Sequence, residues 1–427
     1  MLKKILQDED TIRYVLSKGG ITFFFRMIAM VFSFLTMWFI TNFYGETVFG
    51  RYSVALTVLQ ITTMVFALGL PHAFVSFTGE FNCEQKTIGF LFKNLKIAVS
   101  SALIPSVLYF VFAEDIADYF FNKATLIPYF KILSLSVVFL ILHEIICYYF
   151  MSLKKFVTYG LFFFIAPNVL FILFLMLFKK LNLESYFTFL AYTLSMFITA
   201  VIGLFVIFFR KRRIEHPPIS TKVILNKSLP MMMSGVFLVL LNWTDILMLA
   251  KFQTESQIGI YNVSFKIGSL ALFFVVSMNV VITPKVSELF FKNDFNEMKK
   301  VVNRATQIII LLTIPLALTL IFFSNFILSF FGTVSISGST TLTLITLGAL
   351  FNAMTGNVDQ ILNMTNNQKL VRNIFIIGFI VNVILNVILI PNYGIVGAAA
   401  SSLITNVIIN SIFVVIIKKK LGFYTFM

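Results

Sequence analysis

Twelve stretches of about 20 residues, nearly free of charge, follow one another along this chain, and a helix of that length is what a bilayer core demands. They fall at 19–40, 52–77, 88–112, 126–150, 156–178, 186–209, 229–250, 261–283, 302–323, 339–363, 370–390 and 395–417. Charged residues make up 12% of the chain and apolar ones 59%, whereas a soluble domain carries about 25% charged residues. Such a surface is stable only where lipid, not water, covers it. The pattern predicts an all-α integral membrane protein of twelve transmembrane helices. Residues 1–18 are polar and charged, and the first apolar stretch is long and lacks a small-residue cleavage site. The first span is therefore expected to be retained.

The chain also repeats itself. Glu46-Thr-Val-Phe-Gly50-Arg-Tyr52-Ser-Val54 returns as Glu255-Ser-Gln-Ile-Gly259-Ile-Tyr261-Asn-Val263, a constant offset of 209. At an offset of 210, Pro105 falls on Pro315 and Phe120-Phe121 on Phe330-Phe331. Six spans per copy give both copies the same orientation in the membrane. This predicts two six-helix lobes related by a parallel pseudo-two-fold axis along the membrane normal, with a cleft between them, the body plan of an alternating-access transporter. The expected division is an N-terminal lobe at 1–210, a cytoplasmic basic linker at 211–228 and a C-terminal lobe at 229–427.

Basic residues set the orientation. With the N-terminus inside, 25 of the 33 Lys and Arg fall in inside segments or the inner parts of spans beside them, five in outside loops (Arg51, Lys123, Lys179, Lys180 and Lys251) and three elsewhere within spans. Both termini are thus expected to be cytoplasmic. The net charge of +15 is then a topology signal, and nucleic acid is not an expected partner. The run Arg210-Lys-Arg-Arg213 reads first as a stop-transfer signal and second as an attraction for anionic lipid. Cys83 and Cys147 form no CxxC and have no His cluster nearby, so neither a disulfide nor a zinc site is expected, and no cofactor.

Several local features add detail. Pro105 and Pro315 each sit in the third span of a lobe, where a proline removes a backbone donor and bends the helix, as a static kink or as a hinge. Gly19-Gly20 lie at the entrance of the first span and serve either bending or fraying. The outside stretches 113–125 and 324–338 carry Tyr119-Phe120-Phe121 and many aromatics, and read as short interfacial amphipathic helices. Gly394, Ala398 and Ser402 place a small residue every fourth position, which suits close helix packing. Pro391-Asn-Tyr-Gly394 reads as a tight turn between the last two spans.

Asn382-Val-Ile-Leu-Asn386-Val-Ile-Leu-Ile-Pro391-Asn-Tyr393-Gly394-Ile-Val-Gly397-Ala398-Ala-Ala400, with Phe49-Gly50-Arg51-Tyr52 after the first span, resembles polysaccharide-unit flippases of the O-antigen and capsule type. These belong to the superfamily that also holds multidrug antiporters and the lipid II flippase. The resemblance covers essentially the whole chain. It implies a flippase that moves undecaprenyl-pyrophosphate-linked oligosaccharide units from the inner to the outer leaflet of the bacterial cytoplasmic membrane. It also implies H+ or Na+ coupling, a monomer among membrane lipids, and work alongside polysaccharide polymerase machinery. Lipid II flippases typically have fourteen spans, so lipid II is a less favoured cargo.

Six ionisable residues stand out within spans, where such groups are costly and mark function or pairing: Arg26, Lys131, Glu144, Asp245, Lys266 and Asp359. Arg suits bidentate phosphate contact, and Arg26 is the deepest basic residue of the first lobe, so it is the first candidate for the pyrophosphate. Lys266 and Lys131 follow, with snorkelling to the interface as the plainer role. Asp245, Glu144 and Asp359 are candidates for ion coupling. The plainer roles are ion pairs, Asp245 with Lys266 and Arg26 with Glu144, and headgroup water for Asp359. Asn382 and Asn386 share one helix face and serve interhelical hydrogen bonds or cargo hydroxyls; Asn406 and Asn410 repeat the spacing. His143, beside Glu144, is a candidate for a proton relay, and His72 reads as structural. A multidrug or metabolite antiporter of the same superfamily is the alternative. A membrane enzyme is not expected, because no sizeable outside loop carries titratable groups.

Overall fold

The computed structural model describes residues 9–78, 81, 84–209, 214–215 and 217–426. Cys83 and the run 210–213 lie outside the described residues. Within them ten helices are long and apolar enough to cross a membrane, and no residue is in a strand. The chain divides into two compact units, Met1–Phe43 with Ala55–Val236, and Tyr44–Val54 with Phe237–Met427. The second boundary falls beyond the expected linker, inside a helix.

The first unit begins with α1 (Glu9–Phe43), which runs unbroken through Gly19-Gly20. The expected second span is two helices, α2 (Glu46–Phe66) and α3 (Leu70–Thr78), separated by Leu68 and Gly69 at φ 53° and 68°. Then come α4 (Glu84–Val111), α5 (Ile127–Ser152), α6 (Phe156–Lys180) and α7 (Phe187–Phe208). Helix α5 packs against α3, α4 and α7, so its Tyr129, Phe130, Ile141 and Tyr149 are buried. Leu161–Ile165 of α6 form a π turn. The described part of the expected linker is pinned to this unit: Lys93 donates to the Ile219 carbonyl, and the Lys227 ammonium lies 4.3 Å from the centre of the Phe77 ring.

The second unit takes α8 (Thr221–Phe252) from Phe237 onward, then α9 (Glu255–Gly268), α10 (Phe273–Phe291), α11 (Phe295–Phe322), α12 (Ser339–Thr355), α13 (Val358–Met364) and α14 (Gln368–Leu421). Two expected spans are interrupted. A 3-10 turn at Ser269–Leu272 separates α9 from α10. Gly356, at φ 75°, separates α12 from α13. The last two expected spans, the two arms of α14, are separate helices that meet directly at a kink at Gly394 (φ 56°, ψ −132°). The expected tight turn at Pro391–Gly394 is thus made at a single residue, in a region of backbone space that is essentially glycine's alone.

The repeat has a physical consequence in the second unit. A Cβ on Gly50 would collide with the Glu255 carbonyl, and one on Gly259 with the Glu46 carbonyl. The same two hypothetical atoms would lie 3.1 Å from the Gly259 nitrogen and 3.2 Å from the Gly50 nitrogen. The two copies of the motif therefore meet backbone to backbone, each glycine against the other's helix start. Arg51 Nε lies 2.5 Å from Glu255 Oε2 beside this crossing.

The stretches 113–125 and 324–338 hold short helical pieces rather than continuous amphipathic helices: 113–115, a π turn at 116–120, and 124–126 in one; 324–329 and 334–338 in the other. Positive φ at Asn122 and Gly332 interrupts them. Tyr119, Phe120, Phe326 and Phe330 remain exposed.

Candidate functional site

Asp245 is 2% exposed, on the part of α8 that belongs to the second unit. A lone carboxylate there would be very costly, and three side chains answer it. Oδ1 accepts from Asn386 Nδ2 at 2.7 Å. Oδ2 accepts from the Tyr261 hydroxyl at 2.6 Å and from the Ser402 hydroxyl. Asn386 also donates to Asn382 Oδ1 at 3.0 Å, while its own Oδ1 is buried without a hydrogen-bond partner. Hydrogen bonds to a charged acceptor are worth about 1.5–3 kcal/mol each.

The break at Gly394 builds this centre. Asn386 and Ser402 lie eight residues before and after it, so the two arms of α14 bring them to one depth. Ser402 and Tyr261 were not legible as site residues. Ser402 reads as a packing position and Tyr261 as a repeat mark; the equal spacing about Gly394 is the signal that points to Ser402.

The expected Asp245–Lys266 ion pair is not formed; the carboxylate takes the three neutral donors instead. Tyr261 and Lys266 are five residues apart, about 140° around a helix. With Tyr261 aimed at Asp245, Lys266 points away, and its ammonium lies 5.7 Å from the centre of the Phe49 ring. A cavity of about 220 Å³ adjoins the carboxylate, with Asn382, Ser402, Asn406, Asn352 and Phe265 in its wall.

Arg26 and Glu144 lie in the first unit. Arg26 is exposed on α1 and Glu144 half-buried on α5. Both lie within electrostatic range of the Tyr148 and Tyr159 hydroxyls. Among the described residues no ion pair joins them, contrary to expectation. His143 faces elsewhere, 3.0 Å from the Phe162 carbonyl in the π turn and 3.5 Å from Cys147 Sγ. A π turn disrupts the regular carbonyl ladder, and here an imidazole nitrogen meets it. The His72 ring sits edge-on to Tyr148 at 5.2 Å.

The remaining candidates stand apart. Lys131 pairs with Glu114 at 3.4 Å, both well exposed. Asp359, in the first turn of α13, accepts from Gln360 at 3.0 Å. Asp245, Asn382 and Asn386 are the sequence candidates brought together. Among the described residues no group of three or more His, Cys, Asp or Glu could hold a metal ion.

Membrane-long helices in two units, with a buried, hydrogen-bonded carboxylate in one of them, define a multi-pass membrane protein. The family model described as "Polysaccharide biosynthesis protein" matches residues 15–290, and the chain belongs to that family. A second model, MatE, matches residues 230–388.

The chain is 27% identical over 162 residues to the "Probable low-salt glycan biosynthesis flippase Agl15" of Haloferax volcanii, covering 38% of this chain and 34% of that protein. It is 28% identical over 167 residues to the "Probable flippase AglR" of the same organism, covering 38% and 35%. The chain thus matches about a third of the length of these curated relatives.

Its fold is like those of a solved lipid II flippase and a solved multidrug transporter. A solved lipid II flippase, MurJ in an inward closed conformation, superimposes with TM-score 0.77 at 20% identity, over 94% of this chain and 87% of that one. An inward-facing MATE family multidrug transporter gives 0.74 at 13% identity, over 92% and 94%.

Proposed function

We propose that this protein is an ion-coupled flippase for lipid-linked oligosaccharide units, working by alternating access with both termini in the cytoplasm. Its cargo is a glycan on undecaprenyl pyrophosphate of the O-antigen or capsule type, and its membrane is the bacterial cytoplasmic membrane. The observation that carries this reading is the family match over residues 15–290, which includes Arg26 on α1. Arg26 is exposed and forms no ion pair among the described residues. An unpaired guanidinium in a membrane helix suits an anionic partner, and pyrophosphate is one it binds through two parallel hydrogen bonds. Lys266 and Lys131 are secondary contacts.

Coupling rests on Asp245. Its partners are hydroxyls and amides, groups that rotate to present oxygen to H+ or Na+ when one arrives, and the unpartnered Asn386 Oδ1 adds another oxygen. Glu144 and Asp359 are further coupling candidates. The protein acts as a monomer that hands its cargo to a polysaccharide polymerase.

Deleting the gene tests the reading. Cells should lose surface glycan and accumulate its lipid-linked precursor on the inner leaflet. Full-length surface glycan together with new sensitivity to cationic drugs would favour the alternative, a multidrug antiporter, to which the match of residues 230–388 to MatE lends support.

A further inference from the structure

The cavity beside Asp245 is larger than an ion needs. One water requires about 10–15 Å³ of such space, and this cavity offers about 220 Å³. The carboxylate, Asn382 and Ser402 form one part of its wall. Asn352, Asn406 and Phe265 form another, and they are surplus to coordinating a monovalent cation.

The wall also limits the ligand's charge. It contains no Lys, Arg or His, so a phosphate would meet no cation there and would face the Asp245 carboxylate. Both oxygens of its one carboxylate already accept hydrogen bonds, which fill three of about four acceptor positions. What remains is a set of neutral amides and hydroxyls among aliphatic side chains and the rings of Phe265 and Phe375. Thr405, also in the wall, keeps a buried hydroxyl oxygen without a partner. Amides offer both donors and acceptors, which is what neighbouring sugar hydroxyls require, and an aromatic face accepts the C–H side of a sugar ring.

We propose that this cavity in the second unit receives one neutral sugar ring of the cargo, held by Asn352 and Asn406, with its apolar face toward Phe265. The inference rests on the flippase reading and adds a glycan subsite separate from the pyrophosphate contact. Because Asp245 and Asn382 belong to the same wall, sugar and coupling ion share one chamber.

The test compares two probes on the full-length protein in nanodiscs. One is lipid-linked glycan extracted from the deletion strain; the other is undecaprenyl pyrophosphate without sugar. Losing hydrogen bonds to a neutral ligand should weaken binding about tenfold. Asn352→Leu and Asn406→Leu should therefore bind the glycan-lipid about tenfold more weakly and undecaprenyl pyrophosphate unchanged. Asn406→Ala, which only shortens the side chain, serves if the leucine variants fail to fold. Unchanged binding of both probes would mean that the cavity holds a hydrated ion only, and an equal loss for both would also overturn the subsite. Failure of the deletion strain to accumulate any lipid-linked glycan would instead remove the flippase reading.

Discussion

Gly50 and Gly259, equivalent residues of the two sequence repeats, lie against each other in the second unit, where a Cβ on Gly50 would collide with the Glu255 carbonyl and one on Gly259 with the Glu46 carbonyl. Crowded backbones leave nothing flexible to move aside, and overpacking costs about 1–3 kcal/mol. Gly50→Ala and Gly259→Ala should each destabilise the protein by that order. The double variant should cost less than the sum, because the first change already opens the crossing. Thermal unfolding in detergent measures this; strictly additive losses would show that the two glycines act independently.

Gly394 holds φ 56° and ψ −132°, a conformation that costs other residues about 1–3 kcal/mol. Gly394→Ala should strain the break and pull the arms of α14 out of register. Ser402 would then leave Asp245, so the variant should share the transport defect of Ser402→Ala. Wild-type transport by a folded Gly394→Ala protein would show that the arms align without the glycine.

Asp245→Asn removes the charge and leaves the shape. In proteoliposomes it should abolish the dependence of transport on a pH or Na+ gradient. Ser402→Ala and Tyr261→Phe each delete one donor, worth about 1.5–3 kcal/mol to a charged acceptor. They should shift the ion concentration for half-maximal transport while leaving the dependence in place. Full gradient dependence in Asp245→Asn would move coupling to Glu144 or Asp359.

Arg26→Ala should cut glycan export about tenfold or more, the equivalent of one charge-assisted hydrogen-bonded contact. Arg26→Lys should keep part of it, since a point charge replaces the bidentate fork. Surface glycan, normalised to the amount of inserted protein, is the readout. Normal export by Arg26→Ala would free Arg26 from the cargo role.

Much of this architecture was legible in the chain. Apolar runs of membrane length predict the helices, because lipid demands a self-satisfied backbone. The 209-residue offset marks Gly50 and Gly259 as equivalents, and the spacing of Asn382 and Asn386 places both amides on one face. Charge by itself misled: it suggested pairing Asp245 with Lys266 and Arg26 with Glu144. Depth in a span says nothing about rotation around the helix axis, and rotation aims Lys266 at Phe49 instead.

The sequence alone determined that this chain is a duplicated helical membrane protein, because hydropathy and repetition are one-dimensional properties. Only the tertiary structure decided where helices break and which side chains meet there. Leu68-Gly69, Ser269–Leu272, Gly356 and Gly394 interrupt otherwise continuous apolar patterns. The Asp245 centre gathers side chains from residues 245 to 402 of the chain, and contacts over that separation depend on packing angles that no local pattern encodes.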